Sequence, residues 1–382
     1  MAPAETPRPT RIEVDLAALR HNISELRRFS GNRPIMPVVK ANAYGHGLIT
    51  CAKTFESANA DALAVGFLEE GLALRAAGIQ LPILSMGGVP SEQIPHFIEN
   101  DISMTASSVD KLDAMEAAAE RLGLRASAHL KIDTGMRRIG VRWDRAEALM
   151  EAALRAKNVD LQGVYTHFAM SDPADRSVTK DQLERFLSAL EFFDKRSEPT
   201  PMRHAANSAG MLMEPESHLD ITRPGLALYG VLPHPGLAGV VPLRPALKLR
   251  SEVVYFKTVE AGEGVSYGWH WAPKRQTRVV TIPVGYGDGY ARALSNRSHS
   301  LIRGSRYPNV GAICMDQFMV DIGPDGTGYN GDEVVLIGEQ GSDRITVEDV
   351  ADWMDTTPHE VLVALNQRIP RVYQNEIQTA SA

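Results

Sequence analysis

Cysteine is nearly absent: Cys51 and Cys314 are the only two in 382 residues. A disulfide framework is therefore excluded, and neither thiol has a partner at metal-ligand spacing, so no metal site is expected. Positive charge is not in excess either. Forty lysines and arginines against 47 aspartates and glutamates leave a formal charge of -7, which gives no basic stripe for nucleic acid. No apolar run approaches the roughly 20 residues that cross a bilayer. The first ten residues are polar and proline-rich, without the apolar segment of a signal peptide. What is present, 44% hydrophobic and 23% charged residues, describes a soluble globular chain long enough for two domains. A cytoplasmic enzyme or small-molecule binding protein is the expectation.

Short apolar runs alternate with helical stretches through the first part of the chain. The runs are 35–40, 62–66, 82–86, 102–105, 126–133, 161–168, 202–206 and 219–222, and residues 69–77, 109–122, 144–156 and 180–195 between them have helical spacing. Parallel strands joined by right-handed crossovers produce this pattern, and eight such units suggest a closed (β/α)8 TIM barrel more than an open sheet. Ahead of them, residues 11–15 read as a strand and 16–28 as a helix with Asp15 as its N-cap. Past Pro242 the chain becomes rich in Val, Ile, Tyr and Gly. Strands are expected at 247–258, 278–284, 300–303, 309–313, 318–322 and 333–338, with two short helices at 347–354 and 359–364. The predicted architecture is α/β: a barrel over 11–242 followed by a mostly-β domain over 243–382. Gly285-x-Gly-x-Gly289 lacks the crossover helix and acid of a dinucleotide fingerprint, and 321–333 lacks calcium-loop spacing. Both read as turns.

Reactive groups of such a barrel come from the C-terminal ends of its strands. Lys40 closes the first run, where apolar neighbours disfavour its charged form and make it a usable nucleophile or base. Taken alone, a lysine snorkelling from a strand end explains it as well. Other strand ends carry Lys131 to Gly140, Tyr165-Thr-His-Phe168, His204 to Gly210 and Arg223 to Gly230. Singly, His167 reads as a core histidine, Asn207 and Ser208 as a helix cap, and Arg223 as a surface ion pair. Collected at one rim they suggest a ligand. Ser208 with the amides near Asn207, Gly225 and Leu226 could cradle a phosphate. A lysine, a phosphate cradle and arginines together describe pyridoxal 5'-phosphate.

These blocks, with Val39-Lys-Ala-Asn-Ala-Tyr-Gly-His-Gly47, Val265-Ser-Tyr-Gly268 and Cys314-Met-Asp-Gln317, resemble the alanine racemases from about residue 12 to 371. The resemblance implies a homodimeric pyridoxal-phosphate racemase interconverting L- and D-alanine and supplying D-alanine for peptidoglycan. It implies that Lys40 carries the cofactor and is one catalytic base, and that Tyr267, reaching in from the other subunit, is the second. Tyr44, Ser208, Gly225 and Leu226, beside Asn207, hold the phosphate; His167 lies by the ring, Arg223 faces the pyridine nitrogen, and Arg138 meets the phenolic oxygen and the substrate carboxylate. Met315 and Asp316 of the other subunit meet the substrate. Lys131 is carbamylated. Arg137 stands where the family often has glycine, and is expected to be solvated. Gln367 stands where several members carry a phosphate-touching tyrosine, which makes serine an alternative substrate beside alanine. A non-catalytic pyridoxal-phosphate-binding protein, lacking a second domain, and a decarboxylase on the same plan are the other readings.

Overall fold

Burial follows the two periodicities expected. In the computed structural model, which describes residues 8–170 and 174–376, the chain divides into two units. One comprises the described residues of Ala18–Ala43 and Gly47–Arg244; the other comprises those through Ala17, Tyr44–His46 and those from Pro245.

The strands Leu63–Val65, Ile83–Ser85 and Met104–Ala106 of the first unit are buried at every residue, as strands covered on both faces must be. Parallel pairings run Leu63–Val65 to Ile83–Ser85, and Met104–Ala106 through Ala126–Asp133 and Val159–Tyr165 to Met202–His204. Parallel bridges Val38 to Ala64 and Leu84 to Ser103 join these groups. Closure comes from residues 220–223: Asp220 N donates to Arg203 O at 3.1 Å, Arg223 N to Ala206 O at 2.9 Å, and Met36 N to Thr222 O at 2.8 Å. The ring of eight parallel strand segments predicted from the alternation is complete.

Helices Leu16–Phe29, Leu48–Ser57, Leu68–Ala76, Val109–Leu122, Glu147–Arg155 and Ser177–Lys195 alternate with these strands. Val109–Leu122 illustrates how the sequence sets its ends: Ser108 accepts from Lys111 N, and Gly123 takes the left-handed conformation at φ 65° that stops the helix.

The second unit is built on a ten-stranded sheet. Leu247–Glu252 and Phe318–Gly323 alternate buried and half-buried residues, the period-two signature of a sheet with one covered face. Helices Val347–Met354 and Pro358–Ala364 follow. The strand expected to open the barrel domain does not belong there. Arg11–Asp15 lies between Leu247–Glu252, to which it is antiparallel, and Arg371–Gln374, to which it is parallel. Its short run carries no signal for which edge it joins, because pairing over more than two hundred residues of separation is set by tertiary packing. The residues 247–258 break into two strands, Leu247–Glu252 and Tyr255–Val259.

Candidate active site

Lys40 follows Val39, whose amide bonds Ala64 O at 2.8 Å, so it stands at the end of the first barrel strand. Ala41, Asn42, Ala43 and Tyr44 then take φ of 52°, 56°, 53° and 51°. Left-handed backbone costs about 1–2 kcal/mol per L-residue, so a run of four must be held by its surroundings. Ala43 N donates to Val39 O at 2.8 Å and Gly47 N to Asn42 O at 2.9 Å. Leu48 N donates to Asn42 Oδ1 at 2.8 Å. Glu70 accepts from Ala41 N at 2.6 Å and from Gly66 N at 2.7 Å. The half-buried Lys40 thereby lines a cavity of about 420 Å³ together with Gly66, Met86, Lys131, Arg138, Tyr165 and His167. Burial lowers its pKa, Arg138 lowers it further, and Glu70 opposes both.

The interior beneath holds a cation with no carboxylate partner. Arg223 is 2% exposed; it donates through Nη1 to His204 Nδ1 at 2.8 Å and through Nη2 to Thr166 O at 2.8 Å and Ala205 O at 3.1 Å. Arginine cannot accept, so His204 Nδ1 is the acceptor and its proton sits on Nε2, which donates to His129 Nδ1 at 2.9 Å. Gly163 makes this pairing possible, because a Cβ there would stand 2.3 Å from His129 Nδ1. Tyr165 stacks on His204 with ring centroids 4.8 Å apart and shares a hydrogen bond with Thr105 Oγ1 at 2.7 Å. Burial, then Arg223, pulls the Arg223-facing histidines 129, 167 and 204 below their ordinary range, His129 to about 3. Burial lowers Arg223 itself only to about 10, so it remains charged at neutral pH.

These histidines tie stability to pH. The unfolded chain protonates each near pH 6.5, while the folded chain does so only at much lower pH. The unfolded state then binds more protons, so stability is lost as pH falls below about 6.5, by about 1.4 kcal/mol per pH unit for each histidine. Denaturant unfolding at pH 7 and pH 5.5 should record that loss. Equal stabilities at the two values would contradict the neutral, buried assignment.

Lys131 is 3% exposed, with its Nζ lacking a hydrogen-bond partner among the described residues and lying 4.7 Å from the Tyr165 ring centroid. Burial, with Arg223 and Arg138 adding to it, takes its pKa well down, against the pull of Asp133. Asp133 turns the following loop by accepting from Gly135 N at 3.0 Å and Arg137 N at 2.9 Å. In that loop the exposed Arg137 takes φ 56°, and Arg138, also exposed, makes no ion pair with a described residue.

The residues expected to cradle a phosphate lie together. Ser208 Oγ accepts from Gly225 N at 2.8 Å and Ala227 N at 3.2 Å, with Leu226 between them. Asn207 Oδ1 caps the helix Ser208–Met213 by accepting from Gly210 N at 2.9 Å. Of the residues expected at the site, Lys40, Lys131, Arg138 and His167 share the cavity, and Asn207, Ser208, Arg223, Gly225 and Leu226 belong to the same barrel unit.

Tyr44, Tyr267, Met315, Asp316 and Gln367 belong to the other unit. There Tyr267 is 70% and Met315 52% exposed. Arg368 Nη2 donates to Asp316 Oδ1 at 2.7 Å, and Gly287 N donates to Met315 O at 2.9 Å. Gln367 is exposed and makes no hydrogen bond to a described residue. The aromatic partner of Tyr44 is His359, with ring centroids 5.9 Å apart. Sequence reasoning gave no role to His359, Glu70, His129 or His204. Only the two strand histidines left a signal, as polar interruptions of apolar runs.

Comparison with known proteins adds to this geometry. The family model for the alanine racemase N-terminal domain matches residues 14–233, and that for the C-terminal domain matches 246–373. The chain belongs to the alanine racemase family. It is 42% identical to the alanine racemase of Symbiobacterium thermophilum over 369 residues, covering 97% of this chain and 98% of that one. It is 41% identical to that of Carboxydothermus hydrogenoformans, covering 96% and 100%. The crystal structure of alanine racemase from Streptomyces lavendulae superposes with a TM-score of 0.92 at 38% identity, covering 98% and 99%. That from Bacillus anthracis, with bound L-Ala-P, does so with 0.91 at 34% identity, covering 97% and 96%. This alanine racemase family member is accordingly an isomerase, with an α/β barrel unit and a mostly-β unit.

Proposed function

We propose that the chain racemises alanine by moving a proton between Lys40 and Tyr267 of a second copy, with pyridoxal 5'-phosphate as cofactor. The observation that carries this reading is the charge imbalance of the barrel interior. Lys40, Lys131 and Arg138 line one cavity of the barrel unit, and Arg223 is buried in the same unit with no carboxylate of a described residue paired to it, which asks for an anionic ligand. The donor set fits that cofactor. Among the described residues Arg223 Nε has no acceptor, and Ser208 Oγ accepts from the Gly225 and Ala227 amides, which fixes the hydroxyl beside the loop proposed to take the phosphate. When bound, the cofactor supplies the electron sink that lets the substrate Cα release a proton.

The chain's residues then have these roles. Lys40 anchors the cofactor and, with its pKa lowered by burial, exchanges the proton on one face of Cα. Arg223, a donor only, holds the pyridine nitrogen as an acceptor and leaves it unprotonated. His167, kept neutral by burial, would stand beside the ring. Tyr44 and Ser208 with the Gly225 and Leu226 loop take the phosphate, Asn207 fixes the cap of that loop's helix, and Arg138 orients the substrate carboxylate. From the second copy, Tyr267 faces the opposite side of Cα, Met315 offers its backbone N–H to the carboxylate, and Asp316 is held in place by Arg368. The wide exposure of Tyr267 and Met315 in one chain is what a shared site requires. A barrel domain that ends near residue 242 and excludes Arg11–Asp15, the homodimer, cytoplasmic residence and supply of D-alanine to peptidoglycan belong to the same proposal. The wider substrate range expected from Gln367 has only an exposed side chain behind it, so alanine is retained.

Lys131 is proposed to be carbamylated. A buried amine that has given up its proton attacks carbon dioxide, forming an N–C bond and releasing one proton, and the product anion can position Arg138. Carbon-13-labelled bicarbonate should give a carbamate resonance that disappears in Lys131→Ala. An unchanged spectrum would remove the modification from the account. The activity itself is tested by following optical rotation of L-alanine, D-alanine and L-serine with the purified protein and cofactor. Loss of rotation with both alanine enantiomers is expected, and a protein that binds the cofactor without racemising either one would refute it.

A further inference from the structure

We propose that Glu70 is a positioning residue for Lys40: its carboxylate, bridging the amides of Ala41 and Gly66, locks the left-handed turn that presents the Lys40 amine to the cavity. This deepens the reading above and rests on Lys40 being the working amine. Glu70 is the third residue of the helix Leu68–Ala76, where a glutamate ordinarily reaches back to cap its own helix. The 2.7 Å bond from Gly66 N stays local, one residue ahead of the N-cap Phe67. The 2.6 Å bond from Ala41 N does not, since it crosses to a residue 29 positions away on another strand. Ala41 directly follows Lys40 and is the first of the four left-handed residues, so its amide is where the turn is fixed to the barrel.

Three features favour a role beyond capping. Both partners are N–H donors, so only an ionised carboxylate serves both; a glutamine would turn its own NH2 toward one of them. Space is reserved for the contact: a Cβ on Gly66 would lie 3.3 Å from Glu70 Oε2 and 3.6 Å from Lys40 Cβ. The carboxylate also acts electrostatically on Lys40 against Arg138, the other ionisable groups lining that cavity being Lys131, Tyr165 and His167. Removing Glu70 thus both frees the turn and lowers the proton affinity of the amine.

The test compares Glu70→Gln and Glu70→Ala with the wild type. Both should lower kcat about 10²-fold with little change in KM, as loss of alignment at a reacting group does, and formate should restore part of the rate in Glu70→Ala. A second readout needs no turnover. In cofactor-free protein, the pH dependence of Lys40 capture by pyridoxal phosphate, trapped with borohydride and located by peptide mapping, should move to lower pH in both variants. Glutamine can still cap the helix, so Glu70→Gln carries the test should Glu70→Ala not fold. A lower melting temperature with wild-type kcat and an unmoved capture profile would reduce Glu70 to a helix cap and overturn the proposal. If the wild type itself does not racemise alanine, the functional reading fails, while the capture profile still decides the role of Glu70.

Discussion

Lys40→Ala is expected to fold as well as the wild type, to lose the visible absorbance of bound pyridoxal phosphate, and to lose racemisation by at least ~10⁴-fold. The size follows from removing two functions at once, the amine that anchors the cofactor and the base on one face of the substrate. Stability should not suffer. Lys40 is half-buried among apolar neighbours and close to Arg138, which is why its charged form is disfavoured; an alanine relieves that penalty. Absorbance, alanine turnover and thermal unfolding of the one variant separate these effects. Retained activity would show that another group carries the cofactor.

Tyr267→Phe should cost about 10²–10⁴-fold in racemisation, the range for loss of a positioned general acid or base. Because the enantiomers have equal free energies, kcat/KM must fall equally in both directions, so the direction of racemisation cannot report which face was lost. Exchange with solvent can. The family resemblance implies that Lys40 serves the D-enantiomer and Tyr267 the L-enantiomer, so in deuterium oxide Lys40 should still wash the Cα hydrogen out of D-alanine, whereas exchange from L-alanine should fall with racemisation. Proton NMR of the two enantiomers distinguishes these cases. Equal residual exchange from both would mean that one base serves both faces.

Much of this was legible because strands and helices bury residues at different periods. The eight apolar runs name the barrel strands, and their polar ends name Lys40, Lys131, His167 and Arg223. Asp15 also acts as foreseen, accepting from Ala17 N at 2.9 Å at the head of its helix. Other features needed the fold. Nothing in Lys-Ala-Asn-Ala-Tyr announces four left-handed residues, since alanine has no preference for that backbone and hydrogen bonds accepted by Glu70, Asn42 and Val39 help to hold it there. The Arg223–His204–His129 chain joins three strands, and its hydrogen bonds are invisible to local spacing. Arg11–Asp15 reads as a strand, yet its partners are Leu247–Glu252 and Arg371–Gln374, a choice made by residues far away in sequence. Gln367, chosen by its position before Arg368, is exposed as Tyr267 and Met315 are, while the ring of His359 beside Tyr44 left no local signal.

The account stands on each site drawing one base from each of two chains. Lys40→Ala and Tyr267→Phe, each nearly inactive alone, can be unfolded, mixed in equal amounts and refolded together. In a mixed symmetric dimer one site then carries both substitutions and the other carries neither, so about a quarter of all sites should be restored. Recovery of alanine racemisation near a quarter of the wild-type rate is the predicted result. A mixture no more active than its two parents, although mixed dimers form, would contradict the shared site.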